Sequence, residues 1–232
     1  MTEIVGSTNS TETIEFFFDP MCPWAFQTSL WIREVRKQVP LDIKWSFFSL
    51  EEINREEGKK HPWERQWSYG WSQMRVGALL RRESMAALDR WYEAVGTAFH
   101  LNGRRTHEPD THRKLLGELG YSPELLDEAL DDSTTTEEVH ADHNRAVVTY
   151  GGYGVPIIVL PGDHALFGPV ITPAPTGAEA LRLWDLVRGW SEFPHLYELT
   201  HPKTEEDHRH IGQSFDTYLR SRAWRTIQNP AP

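Results

Sequence analysis

Ile14 to Phe18 is a short, mostly apolar run rich in β-favouring aromatics and closed by Asp19-Pro20, which predicts a buried strand. Beyond Pro23 the spacing becomes helical. Trp31, Ile32, Val35 and Val39 share one face, while Arg33, Arg36 and Lys37 fall elsewhere, and Pro40 stops the helix. Leu41 to Leu50 alternates in part and predicts a second strand. A strand–helix–strand unit of this kind normally joins parallel strands through a right-handed crossover.

From about Trp63 to Tyr150 the apolar period is near 3.6 and strand signals are absent. Met85, Leu88, Tyr92, Val95 and Phe99 mark one long amphipathic helix. Ser122, Pro123 and Glu124 supply the N-cap, first position and first-turn acid of another. Val139, His143, Ala146 and Val147 mark a third. Gly151-Gly152-Tyr153-Gly154 then breaks the helical pattern, and Val155 to Leu160 is a β-branched strand run. Pro161-Gly162-Asp163 signals a hairpin turn into a strand over Ala165–Gly168. Leu183, Trp184, Val187 and Trp190 mark a last core-facing helix.

The order βαβ, helices, ββα predicts an α/β protein with an all-helical insertion. The expected divisions are a disordered lead-in at 1–12, a sheet-containing domain from 13–60 and 151–202, a helical domain at 61–150, and a charged tail at 203–232. Within that tail Ile211 to Trp224 could form a short helix.

Composition narrows the function. A formal charge of −10 argues against a nucleic-acid or anionic-membrane surface, since both need clustered Lys and Arg. No apolar stretch approaches the ~20 residues of a spanning helix, and the polar, acidic start lacks the apolar core of a secretory signal. One cysteine among 232 residues rules out an intrachain disulfide. The expectation is a cytoplasmic protein.

That cysteine, Cys22, follows a strand and a tight turn and precedes Pro23-Trp24 at the start of a helix. Pro23 suits a first helical turn, where its missing N–H would be unpaired anyway. Cys22 would then face the free N–H groups of the helix N-terminus, which stabilise a thiolate and predict a depressed pKa. The plainer reading is a small buried hydrophobe. Val155-Pro156, after a glycine-rich approach, is a place where a cis bond could leave Val155 backbone groups free for a ligand.

The stretches FDPMCPW, AVGTAFHLNG, GVPIIVL, LFGPV and FPHLYEL, in that order, resemble a branch of the thioredoxin superfamily. It is the DsbA-like branch, in which helices interrupt a thioredoxin-like fold, and within it the actinobacterial mycothiol-dependent reductases, including nitroreductase-type members. The similarity spans about Ile14 to Pro202. It implies a cis Val155-Pro156 bond beside Cys22 and a cleft that accepts a low-molecular-weight thiol, mycothiol or glutathione-like, as co-substrate. It also places His100 and Asn102 in the cleft segment, with Pro23, Trp24, Val155 and Pro156 binding thiol or substrate. Dithiol members carry CPWC, whereas this chain has Ala25. Oxidised Cys22 can therefore end only as a sulfenic acid or as a mixed disulfide with an outside thiol.

The resulting expectation is a monothiol oxidoreductase acting through Cys22 on small-molecule or protein disulfides or on electrophiles. A kappa-type thiol S-transferase or isomerase, which usually places Ser at this position, is the second enzyme reading. A non-catalytic thioredoxin-fold binding protein is the third. Among eleven histidines, His140 and His143 could share an ion with His100, His107 or His112, but the spacing is loose and no metal is expected. His208 and His210 read as a solvated tail. Trp63, Trp67 and Trp71 recur every four residues, as on one helix face, or as the wall of an aromatic pocket.

Overall fold

A computed structural model describes residues 11–106 and 108–222. The chain builds one mixed sheet from β1 (Glu12–Phe18), β2 (Leu41–Phe47), β3 (Ile157–Leu160) and β4 (His164–Phe167), in the order β2-β1-β3-β4. Strands β1 and β2 run parallel, and α1 (Pro23–Arg36) makes the crossover between them. Strand β3 is antiparallel to both β1 and β4. The hairpin from β3 to β4 turns on consecutive left-handed residues, Gly162 (φ 84°) and Asp163 (φ 61°), a conformation matched to strand twist.

Central strand β1 is covered on both sides, so it carries apolar residues on both faces. Phe16 and Phe18 meet Trp45 and, for Phe18, the stacked ring of Tyr92 at 3.8 Å. Phe17 points the other way, towards Tyr150 and the Arg145 guanidinium. The lead-in is shorter than expected, because Glu12 already pairs with Leu41 in the sheet. The rest of the expected lead-in, 1–10, falls outside the described residues.

Between β2 and β3 the chain is helical: α2 (Leu50–Ile53), α3 (Tyr69–Glu83), α4 (Met85–Gly96), α5 (Pro109–Glu118), α6 (Leu125–Asp131) and α7 (Ser133–Asn144). The helix expected over Met85–Phe99 is α4 followed by a wider-wound turn at Thr97–Leu101. Helix α6 begins two residues after the expected first position, because Leu125 and Leu126 N–H bond back to Ser122 and Pro123 carbonyls in a tight turn. Helix α8 (Gly177–Trp190) closes the unit, with Ala180, Trp184 and Val187 buried. Trp31 Nε1–H donates to the Ala180 carbonyl at 3.0 Å, joining α8 to α1.

One reading of pattern is corrected. Trp63, Trp67 and Trp71 do not share a helix: Trp63 sits in a short turn at Pro62–Glu64, and α3 starts only at Tyr69. The buried Glu51 carboxylate sets that start, accepting the Tyr69, Gly70 and Trp71 N–H groups at 3.2, 3.0 and 3.1 Å. Arg33, off the apolar face of α1, is buried as well. It donates to Asp89 of α4 at 2.8 Å and to Ser29 at 2.7 Å, and its guanidinium lies over Trp45.

Helices α1 and α4 approach closely at Gly96, where an added Cβ would lie 2.3 Å from the Phe26 ring. The C-terminal segment forms α9 (Glu205–Ser214), started by a Thr204–Asp207 capping box, and α10 (Asp216–Arg222). It is helical six residues earlier than the sequence pattern suggests, and the expected end at Trp224 lies outside the described residues.

Removing one partner of a buried ion pair strands the other charge, at a cost of roughly 3–5 kcal/mol. Asp89→Ala should therefore lose about 3 kcal/mol in urea unfolding. The double variant Arg33→Met/Asp89→Ala should lose less than Asp89→Ala alone, because no buried guanidinium is left unpaired; Arg36, the other partner of Asp89 at 2.7 Å, is partly exposed and regains water.

Candidate active site

The site begins where β1 ends. Asp19 is fully buried, and its carboxylate accepts the Met21 N–H at 2.8 Å and the Leu50 N–H at 2.7 Å. Its own carbonyl accepts the Cys22 N–H at 3.0 Å, closing the turn that presents the cysteine. Burial nevertheless dominates over the two backbone N–H donors and pushes the Asp19 carboxyl up to about 7.

Cys22 is the N-cap of α1, with Pro23 in the first helical position. Its Sγ accepts the Ala25 N–H at 3.4 Å and donates its proton to the Val155 carbonyl at 3.6 Å. The Val155–Pro156 peptide bond is cis. Cys22, Pro23, Trp24, Val155 and Pro156 are therefore together. In this state the Val155 carbonyl is engaged by the thiol.

The expected thiolate is corrected. Cys22 is 5% exposed, and that burial pushes the thiol up to about 12. The N–H groups of Ala25 and Trp24 pull the other way, while the charge of Asp19 adds to the rise. Helix-start donors lower a thiol only if water or a counter-charge completes its solvation; here loss of water outweighs them. Resting Cys22 is a neutral thiol that donates a hydrogen bond.

His100 lies under the same turn. A carbonyl can only accept, so the 2.9 Å contact from Nε2 to the Pro20 carbonyl fixes the proton on Nε2. Its ring stacks on Phe26 at 5.0 Å, and burial lowers its pKa to about 4, which keeps it neutral. Asn102 is exposed on the turn beyond, with its backbone N–H bonded to the Thr97 carbonyl.

The histidines considered for a metal are dispersed. His143 accepts the Ser49 N–H, His140 packs on Trp63, and His112 lies between Trp67 and Trp91. His107 falls outside the described residues. Among the described residues no group of three or more His, Cys, Asp or Glu is placed to hold an ion, and no helix is long and apolar enough to cross a membrane.

Sequence reasoning missed Asp19 and two C-terminal rings that pack on the cysteine turn and its support, Phe215 on Trp24 at 4.7 Å and Tyr218 on His100 at 5.2 Å. An Asp-Pro at a strand end was a visible signal for the first. Ile211, Phe215 and Tyr218 at helical spacing were a signal for the others.

Residues 21–201 match the family model described as Rv2466c-like, mycothiol-dependent nitroreductase Rv2466c. The chain belongs to the Rv2466c-like family. It is 54% identical over 215 residues to protein Rv2286c of Mycobacterium tuberculosis, covering 93% of each chain. Solved structures share its thioredoxin-like fold at low identity. One is a 2-hydroxychromene-2-carboxylate isomerase (TM-score 0.57, 15% identity, 78% of this chain and 95% of that one). Another is the cytosolic disulfide reductase DsbM of Pseudomonas aeruginosa with GSH (TM-score 0.53, 16% identity, 76% and 99%). The DsbA-like fold with a helical insertion, expected from the sequence, is the fold of this family member.

The electrostatics of Asp19 have a stability consequence. A carboxyl raised from 3.8 to about 7 in the fold is protonated there while the unfolded chain ionises, so its contribution to stability is full below pH 4 and is lost as pH rises towards 7. Asp19→Asn removes that titration. The stability of the natural chain relative to the variant should therefore fall between pH 4 and 7, read by denaturant unfolding at stepped pH.

Proposed function

We propose that this protein is a monothiol, thiol-dependent oxidoreductase in which Cys22 exchanges disulfides with a mycothiol-like small thiol. The observation that carries the reading is the placement of Cys22. It caps α1 with its sulfur on the Val155 carbonyl beside Pro156, in a family described as mycothiol-dependent.

The chemistry follows from one sulfur. Cys22 loses its proton and attacks a substrate disulfide RS–SR; one S–S bond forms, the other breaks, and RS⁻ leaves and takes up a proton. Position 25 is alanine, so no internal thiol can resolve the Cys22–S–S–R product. An external thiolate attacks it instead, restoring Cys22 and carrying the second RS group away as a new mixed disulfide. The net change is one disulfide exchanged for another, with the small thiol as reductant. Backbone N–H groups of Trp24 and Ala25 would stabilise the departing Cys22 thiolate, Trp24 would wall the site, and the Val155 carbonyl would be released to bind the incoming thiol.

A buried, protonated Cys22 also suits a thioredoxin fold that binds a ligand without turnover. The kappa-type transferase reading has no observation of its own beyond the shared fold.

Disulfide reduction should require added small thiol and disappear in Cys22→Ser, while mass spectrometry of the natural chain after exposure to mycothiol disulfide should show one adduct on Cys22. Turnover sustained by a thioredoxin-type protein reductant alone would refute the monothiol mechanism, and an adduct-free, inactive chain would favour the binding protein.

Ala25 is fully buried one turn from Cys22, with its N–H on Sγ. Ala25→Cys should close an intramolecular disulfide on mild oxidation, read as a loss of two mass units, and should stop accumulating small-thiol adducts.

A further inference from the structure

The C-terminal helices lie beyond the residues that match the family, which end at 201. They do not float free. Phe215 meets Trp24 edge-on at 4.7 Å between ring centroids. Tyr218 lies 5.4 Å from Phe99 and 5.2 Å from His100. With Ile211 these rings form an apolar cluster that includes Met21, just before Cys22, and Trp24, two residues after it. On the sheet side, His210 Nε2 reaches the Thr172 carbonyl at 3.2 Å. On the helical side α10 passes so close to Gly103 that an added Cβ would lie 3.2 Å from Ser221 Oγ and 3.3 Å from Thr217 Cγ2. The pair therefore spans from the loop before α8 to the turn after α4 and packs on the cysteine turn at Met21 and Trp24, while Cys22 itself lies in the main core.

Its grip is narrow. Helix α9 has no buried residue, and among the described residues the apolar hold comes from Ile211, Phe215 and Tyr218. Beneath it, Cys22 is nearly inaccessible, although the proposed chemistry requires an outside thiol to reach it.

We propose that α9 and α10 form a movable cover over Cys22, latched by Phe215 and Tyr218, and that its opening decides which thiols reach the sulfur. The use made of the gate rests on the thiol-dependent reading above, but the cover itself does not. When the cover lifts, Met21, Trp24 and the Cys22 turn meet water. The thiol regains solvation, so access and ionisation of Cys22 change together.

Alkylation of Cys22 in the full chain tests this without any co-substrate, so its failure is separable from failure of the proposed activity. Iodoacetamide and a bulky maleimide are compared on the natural chain and on Phe215→Ala/Tyr218→Ala. The variant should react at least tenfold faster, and its small-to-bulky rate ratio should fall at least fivefold. In the natural chain the rate should level off with reagent concentration as opening becomes limiting.

Hydrogen exchange on the natural chain keeps the test decisive if the variant does not fold. Amides of α9 and α10 should then open far more often than those of β1. Natural and variant rates within twofold of each other, or α9 and α10 amides as protected as β1, would overturn the proposal.

Discussion

The buried carboxylate of Asp19 is the joint on which the site depends. It ends β1, receives the N–H groups of Met21 and Leu50, and its backbone carbonyl holds the Cys22 N–H, so one residue ties strand, cysteine turn and α2 together. Helix α3 reaches the same place because residue 70 is glycine. A Cβ there would sit 2.8 Å from Asp19 Oδ1. Glu51, one residue past Leu50, then caps α3. Two adjacent buried carboxylates thus bind the helical insertion to the strand that presents Cys22, and both have their pKa raised by burial.

Where these groups sit explains why Cys22 behaves against its helix-terminal position. Capping N–H groups and burial act on the same sulfur with opposite sign, and burial is set by tertiary packing that no local motif encodes. Geometry that looks activating in sequence is held in a protonated, hydrogen-bonded form by what lies over and under it.

The strands and the Cys22 helix were legible because their signals are local. Phe16–Phe18, the Pro23 start and the Val155–Leu160 run, of which Ile157–Leu160 pairs as β3, each carry their own period or punctuation. What was not legible depends on partners distant in sequence. Arg33 looks like an outward cation until Asp89 and the rings of Trp45 and Tyr92 are brought to it. Trp63, Trp67 and Trp71 have helical spacing, but Glu51 fixes where α3 starts, and their period loses to that cap. The charged residues around His208 and His210 disguise an amphipathic pair of helices, because the surface they cover is itself assembled only by folding.

Gly96 has no chemistry, yet it governs the reach of His100. With only hydrogen at that position α4 can lie against Phe26, and the turn that follows delivers the imidazole to the Pro20 carbonyl. A homologue could carry the whole FDPMCPW stretch and still hold its cysteine turn differently if a side chain at this crossing pushed the two helices apart. Recognising a relative that shares this site therefore takes two readings, the cysteine motif and a silent contact seventy-odd residues downstream.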